Sequence, residues 1–162
     1  MQKFHFKNIL ENSGWRQNVL IETDDTGTIT SISESNLVDK DVNLIEGFVL
    51  PGFQNAHSHA FQYAMAGLAE NHEISNNPDD FWSWRDEMYQ LALKVSPDQM
   101  EAIASMLYSE MVRQGYTNVA EFHYIHHQTD GSKYDNLAEM GQRMINAAKN
   151  ASRLDPRINE TG

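Results

Sequence analysis

The segment that most constrains the fold runs from Val49 to His59 and reads Val-Leu-Pro-Gly-Phe-Gln-Asn-Ala-His-Ser-His. Its apolar start is interrupted by Pro-Gly, and the part that follows has the pattern of a second extended piece. Side chains two residues apart in an extended segment point to the same face, so His57 and His59 can direct ring nitrogens at one point. Histidine nitrogen binds zinc at about 2.0–2.1 Å. The spacing therefore predicts that these two histidines share a metal ion.

A His-x-His pair also arises by chance, as two surface histidines in a loop. The strand before the pair and the βα pattern after it favour metal binding. Two ligands do not complete a catalytic zinc site, which usually has three protein ligands and a water. The remaining ligands must therefore come from elsewhere.

Downstream of this segment the sequence alternates between helical and extended patterns. Apolar residues at spacings of three and four predict a helix from Asp79 to Val95. The stretch Ser-Pro-Asp-Gln at 96–99 is typical of a helix start, and Gly115 is a natural end. A strand is predicted from 116 to 124, and a further helix from about 136 to 150. Strands that alternate with helices indicate parallel βα units.

The region upstream, residues 1 to about 50, reads as short strands and turns. Apolar residues in 15–22 and 28–32 flank the turn Asp-Asp-Thr-Gly at 24–27, which predicts a β-hairpin.

Composition narrows the class of protein. The chain has 162 residues and a formal charge of −11, which argues against nucleic-acid binding because phosphate contacts need clustered Lys and Arg. It has no cysteine, which excludes disulfides and fits a reducing compartment. No stretch approaches the ~20 apolar residues of a membrane span. We expect a cytoplasmic protein that does not bind membranes.

Other polar and aromatic residues are weaker candidates. His123, His126 and His127 form a second cluster at the end of the second strand, where they suit an active-site rim or serve as loop residues or strand-end hydrogen bonders. Glu121 would share a face with His123 in a regular strand, which allows a supporting or substrate-binding role. Arg85 is either a solvated charge or a clamp for a carboxylate. The remaining assignments are packing roles for Trp82 and Trp84 and surface positions for His5 and His72.

Residues 49–59 resemble the Pro-Gly-x-x-(Asn/Asp)-x-His-x-His signature of the amidohydrolase superfamily. Three further blocks, at 60–68, 81–85 and 120–127, are similar to the formimidoylglutamate deiminase family. The resemblance covers roughly residues 44–151.

The resemblance implies a Zn²⁺ enzyme of histidine degradation, although another divalent metal would also fit. His57 and His59 would be two metal ligands, with a third histidine and an aspartate from later strands. Such an enzyme hydrolyses N-formimidoyl-L-glutamate to N-formyl-L-glutamate and ammonia. On the positions that match, Gln62, Arg85 and Tyr124 look like substrate contacts. No catalytic proton-transfer residue is expected in this chain, and a full-length protein could form a homodimer.

The implied fold class is α/β, a partial (β/α)₈ metal-dependent hydrolase barrel preceded by a small β-sandwich segment. A whole barrel needs ~250 residues, so the chain is predicted to be truncated after about two βα units and inactive alone. Residues 1–47 would form part of the β-sandwich, and 48–151 the first βα units. Residues 152–162 are predicted to be a polar tail, disordered or foreign.

Two alternatives stay open. One is another amidohydrolase deaminase, acting on a purine, pterin or triazine, against which the blocks at 81–85 and 120–127 argue. The other is a small non-catalytic α/β protein with structural histidines.

Overall fold

The computed structural model describes residues 1–36, 40–67 and 81–154. The chain divides into two compact units, Met1–Gly52 and Phe53–Gly162. His72, Asp79 and residues 155–162 lie outside the described residues, so the predictions made for them are not addressed below.

The first unit is built on one four-stranded sheet with the strand order β3-β2-β1-β4. The β1/β2 and β2/β3 pairs are antiparallel, and the β1/β4 pair is parallel. The strands are β1 Gln2–Glu11, β2 Gly14–Thr23, β3 Ile29–Glu34 and β4 Asn43–Val49. Whether this sheet is one layer of a sandwich stays a prediction.

The predicted hairpin is confirmed as the β2/β3 pair. At its turn, Oδ1 of Asp24 accepts hydrogen bonds from the backbone N–H of Thr26 at 2.9 Å and of Thr28 at 3.0 Å. Gly27 has φ +86°, a left-handed conformation that glycine adopts without steric cost. Local hydrogen bonds within the turn thus stabilise the hairpin.

The expectation that His5 lies on the surface is wrong. His5 is only 3% exposed, and its Nε2 lies 2.7 Å from the carbonyl oxygen of Ser35. Strand β1 pairs with β2 on one side and with β4 on the other. The pairing on both sides and the contact with Ser35 come from residues distant in sequence, so the sequence around His5 did not indicate its burial.

The second unit contains a two-stranded parallel sheet and its helices. Between the parallel strands β5 and β6, the described residues form a 3₁₀ helix and two α-helices, which confirms an α/β arrangement. The elements are β5 Phe53–Ser58, the 3₁₀ helix Ala60–Met65, α1 Phe81–Ala92, α2 Pro97–Arg113, β6 Tyr116–Glu121 and α3 Glu139–Leu154. The eight-stranded closure of a barrel stays a prediction.

Helix α2 begins and ends where its capping residues predict. The Ser96 hydroxyl accepts from the N–H of Gln99, whose side chain accepts in turn from the N–H of Ser96. This reciprocal pair satisfies two backbone donors that the first turn leaves unpaired. Gly115 follows the helix end with φ +88°.

Other element limits differ from the predictions. Strand β6 ends at Glu121, three residues early, and α3 begins at Glu139 and continues to Leu154. The first three residues of the predicted tail, 152–154, are therefore helical. The 3₁₀ helix after β5 was not predicted, because its six residues lack a clear helical period.

The core of the second unit lies where α2, α3 and the 3₁₀ helix meet. It is rich in methionine, which fills irregular gaps because it is unbranched. Arg143 of α3 also forms ion pairs with Asp98 at 2.8 Å and Glu101 at 3.1 Å near the start of α2. The buried cluster comprises Ala60, Phe61, Met65, Met88, Val95, Met100, Ala104, Tyr108, Ile125, Met140, Met144, Ala147 and Ala151.

Within the described part of the chain, the helices are too short or too polar for any of them to cross a membrane.

Candidate metal centre

The candidate site lies at the carboxyl ends of β5 and β6. These parallel strands pair through Asn55↔Val119 and Ser58↔Glu121, with a register shift between the two pairs. Next to the shift, Oδ1 of Asn55 accepts from the N–H of His57 at 3.1 Å. Strand ends of this kind place side chains at one edge of the sheet, where α/β enzymes bind ligands.

His57 and His59 converge at this edge. Their Nε2 atoms are 2.8 Å apart, and the rings meet edge to face with centroids 4.6 Å apart. His57 is exposed and His59 is half-buried. The prediction that both rings lie close enough to share one ion is confirmed as geometry, while their role as ligands stays a prediction.

A backbone carbonyl sets the orientation of His59. Its Nδ1 lies 2.7 Å from the oxygen of Phe122, the first residue after β6. A carbonyl oxygen can only accept, so Nδ1 carries the proton and Nε2 keeps its lone pair. Metal-binding histidines usually have such a partner on the second nitrogen, because it fixes the tautomer and the ring direction.

The pair fits a zinc ion in chemistry and nearly in geometry. Imidazole nitrogen is a preferred zinc ligand. Two nitrogens bound to one tetrahedral zinc lie about 3.3 Å apart, so the rings need to separate by only a few tenths of an ångström. Among residues 1–36, 40–67 and 81–154, no group of three or more His, Cys, Asp or Glu could hold a metal. Within these described residues the candidate metal site is therefore limited to the His57–His59 pair.

Tyr124 is the predicted substrate residue that lies beside the pair. Its hydroxyl is 3.5 Å from Nε2 of His59, and the two rings have centroids 5.2 Å apart. The Phe61 ring packs edge to face against the Tyr124 ring, with centroids 5.7 Å apart. Phe61 is fully buried and Tyr124 is 45% exposed, so the tyrosine packs against the core while part of it stays open to solvent.

Gln62 lies on the 3₁₀ helix and contacts helix α1, and Arg85 lies on α1 itself. Nε2 of Gln62 lies 3.2 Å from Sδ of Met88. The guanidinium carbon of Arg85 lies 5.5 Å from the Trp82 ring centroid and 5.3 Å from that of Tyr89, within the range of cation–π attraction. The structure thus joins Tyr124, but not these two residues, directly to the histidine pair through the contacts it describes.

The expectation that Trp82 is a packing residue is wrong, since 63% of it is exposed. It instead forms one of the aromatic faces beside Arg85.

A cavity of about 520 Å³ is lined by residues at the end of α1 and in the segment after β6. Tyr89, the partner of Arg85, lines it together with Tyr124. Its volume lies in the range of small-molecule sites. The other lining residues are Ala92, Leu93, Ile125, His126, His127, Gln128 and Gly131.

The three later histidines are not a single cluster. The rings of His123 and His126 have centroids 4.7 Å apart, whereas His127 forms an isolated backbone bridge to Lys133. Nδ1 of His123 lies 3.0 Å from the oxygen of Ile125. Burial, followed by the charge of His126, lowers the pKa of His123.

Glu121 joins β6 to the segment after His59. Its Oε1 accepts from the N–H of Ala60 at 2.8 Å, and its Oε2 accepts from the hydroxyl of Tyr108 at 2.9 Å. Burial raises the pKa of Tyr108, and the negative charge of Glu121 adds to the effect. Because β6 ends at Glu121, the alternation that would place His123 on the same face does not extend that far.

Sequence reasoning missed two parts of this site. Tyr108 fits the apolar spacing of α2 and belongs to no sequence motif, so nothing in the sequence marked it as part of the site. The carbonyl of Phe122 has no sequence signal, since every residue carries one.

Comparison with known proteins places this geometry in context. A model of the amidohydrolase family matches residues 48–159, which include part of the predicted tail. The chain is 48% identical over 139 residues to formimidoylglutamate deiminase from Pseudomonas aeruginosa, covering 85% of this chain and 30% of the relative.

Solved structures are also similar to this chain in fold. An amidohydrolase from Brucella melitensis superposes with a TM-score of 0.82 at 44% identity, over 92% of this chain and 32% of that one. Atrazine chlorohydrolase from Arthrobacter aurescens, complexed with zinc, shares the fold at a TM-score of 0.59 and 17% identity, over 94% of this chain and 33% of that one. The chain thus spans about a third of the length of the proteins it matches. It belongs to the amidohydrolase family.

Proposed function

We propose that this chain is part of a metal-dependent deiminase that hydrolyses N-formimidoyl-L-glutamate to N-formyl-L-glutamate and ammonia. The observation that carries the proposal is the convergence of His57 and His59, with Nε2 atoms 2.8 Å apart at the end of β5. The substrate assignment is supported by the 48% identity to a relative named for that activity.

In this proposal His57 and His59 bind zinc, or another divalent metal, through Nε2. When bound, the ion supplies an activated water at neutral pH and acts as a Lewis acid. The chain's own contribution is orientation, since the carbonyl of Phe122 holds Nδ1 of His59 and leaves Nε2 to bind. The residues that transfer protons, and the remaining ligands, would lie on later strands of a (β/α)₈ barrel.

The substrate would lie between the histidine pair and α1. Tyr124 is suited to hold the reacting group, because its hydroxyl is 3.5 Å from Nε2 of His59. Arg85 would bind a substrate carboxylate, for which the planar guanidinium offers two parallel donors. Its stacking against Trp82 and Tyr89 restricts its motion and so lowers the entropy lost on binding. Gln62 would add an amide contact.

The substrate class implies a role in histidine degradation. The absence of cysteine fits the cytoplasm, where thiols stay reduced and disulfides are rare.

A segment exchange tests the proposal. Residues 1–151 of this chain replace the corresponding segment of the Pseudomonas aeruginosa relative, and ammonia release from N-formimidoyl-L-glutamate is measured. We expect turnover in the chimera and none in the chain alone. His57→Ala or His59→Ala should abolish turnover and reduce bound zinc.

Arg85→Ala in the chimera should raise KM with little change in bound metal. Arg113→Ala is the matched control, because Arg113 is an exposed arginine paired with Glu110 on α2. A folded chimera that binds zinc but does not act on this substrate would refute the assignment. An unchanged KM with lower stability in Arg85→Ala would make Arg85 a structural residue.

A further inference from the structure

We propose that Glu121 is a positioning residue for the metal site, and that it acts through the backbone that follows His59. Its carboxylate, held in place by Tyr108, fixes the His59–Ala60 peptide and so keeps the imidazole of His59 directed at His57. The inference rests on the proposed metal binding by the histidine pair.

The end of β6 contacts three consecutive residues around His59. The N–H of Phe122 donates to the carbonyl of Ser58 at 2.9 Å. The oxygen of Phe122 accepts from Nδ1 of His59 at 2.7 Å. Oε1 of Glu121 accepts from the N–H of Ala60 at 2.8 Å. His59 is therefore restrained before, at and after its own position, and only the last restraint comes from a side chain.

The carboxylate of Glu121 is itself held at both oxygens. The second oxygen accepts from the hydroxyl of Tyr108, a residue of α2 that is only 4% exposed. A rotation of the carboxylate would break at least one of these two bonds. Tyr108 thus transmits the rigidity of a buried helix to the peptide after His59.

Loss of the carboxylate would leave a buried donor without its partner. Ala60 is fully buried, so water cannot readily replace Glu121 at its N–H. The peptide would rotate to find another acceptor, and His59, with φ −132° and ψ 76°, would move with it. Residues that support metal ligands typically contribute 10–100-fold to metal affinity.

The test compares four variants of the chain. Glu121→Ala removes both acceptors. Glu121→Gln keeps an oxygen that can accept from the N–H of Ala60. Its amide NH₂ can donate a hydrogen bond to the hydroxyl oxygen of Tyr108. Tyr108→Phe frees only the second oxygen. Glu110→Ala is the control, a carboxylate on α2 whose described ion pair is with Arg113 on the surface.

Two readouts are measured. Nitrogen NMR reports whether Nδ1 of His59 carries a slowly exchanging proton, which needs no metal. Zinc titration by calorimetry reports the dissociation constant. We expect Glu121→Ala to lose the protected proton and to raise the zinc Kd about tenfold or more. Tyr108→Phe should give a smaller change in the same direction, whereas Glu121→Gln and Glu110→Ala should stay close to the parent chain.

If Glu121→Ala does not fold, the comparison of Tyr108→Phe with Glu121→Gln decides. If Glu121→Ala folds, the inference is overturned when that variant keeps both the protected proton and the zinc affinity. If Glu121→Ala does not fold, the inference is overturned when Tyr108→Phe keeps both. Absence of zinc binding in the parent chain would instead contradict the proposed function, and the NMR readout would still test the positioning role.

Discussion

At the scale of single residues, the direction of the His59 ring depends on contacts that are distant in sequence. Phe122 is 63 residues away, and the Glu121 carboxylate that binds the next peptide is 61 residues from Ala60. The two-residue spacing of His57 and His59 was sufficient to predict that their nitrogens converge. It could not predict what holds them, because strand pairing between β5 and β6 brings those partners together.

A residue-scale prediction concerns pH. Burial and the charge of His126 lower the pKa of His123 in the folded state, whereas an unfolded histidine titrates near 6.5. Below about pH 6.5 the unfolded state therefore binds this proton more readily, and stability falls as the pH drops towards the folded pKa.

His123→Asn should reduce that loss, because its amide can still donate to Ile125 but does not titrate. Urea unfolding at about pH 7.5 and about pH 5.5 measures the difference. The histidines other than His126, whose ring lies beside that of His123, cancel in the comparison. An equal loss of stability in parent and variant would exclude His123 as the source.

At the scale of elements, the structure that depends on local signals was predicted well. The structure that depends on pairing between distant segments was not. Helix α2 was predicted because Ser96, Gln99 and Gly115 specify its ends within the segment itself. Strand β1 was not recognised, since it is defined by pairing with β2 and with β4, whose residue Asn43 lies opposite Phe4. The burial of His5 was missed for the same reason.

An element-scale prediction contrasts two glycines. Gly115 has φ +88°, so Gly115→Ala forces alanine into the left-handed region and should destabilise the chain by ~1–2 kcal/mol. Gly141 lies within α3, where an added Cβ would meet Nε2 of His123 at an ordinary 3.9 Å.

Gly141→Ala should therefore stabilise the chain by ~0.5–1 kcal/mol, since alanine favours helices. Shifts of the urea midpoint in opposite directions are expected. Equal destabilisation by both variants would show that side-chain crowding, and not backbone conformation, governs these positions.

At the scale of the whole molecule, two units with different architecture follow one another in the chain. The alternation of strands and helices predicted the α/β character of the second unit, and the parallel β5/β6 pair bears it out. The number of strands in a barrel cannot be inferred from two of them, because closure depends on every strand. The same holds for the proposed metal site, because two histidines do not define a complete set of ligands.

The most direct test of this account is a zinc titration of the chain followed by calorimetry. We expect one zinc ion to bind with micromolar affinity through His57 and His59. His57→Ala and His59→Ala should each abolish this binding, whereas His127→Ala, a change at an exposed histidine outside the pair, should retain it. Zinc binding that persists in the His57→Ala/His59→Ala double variant, or no binding by the parent chain, would contradict the assignment of the metal site.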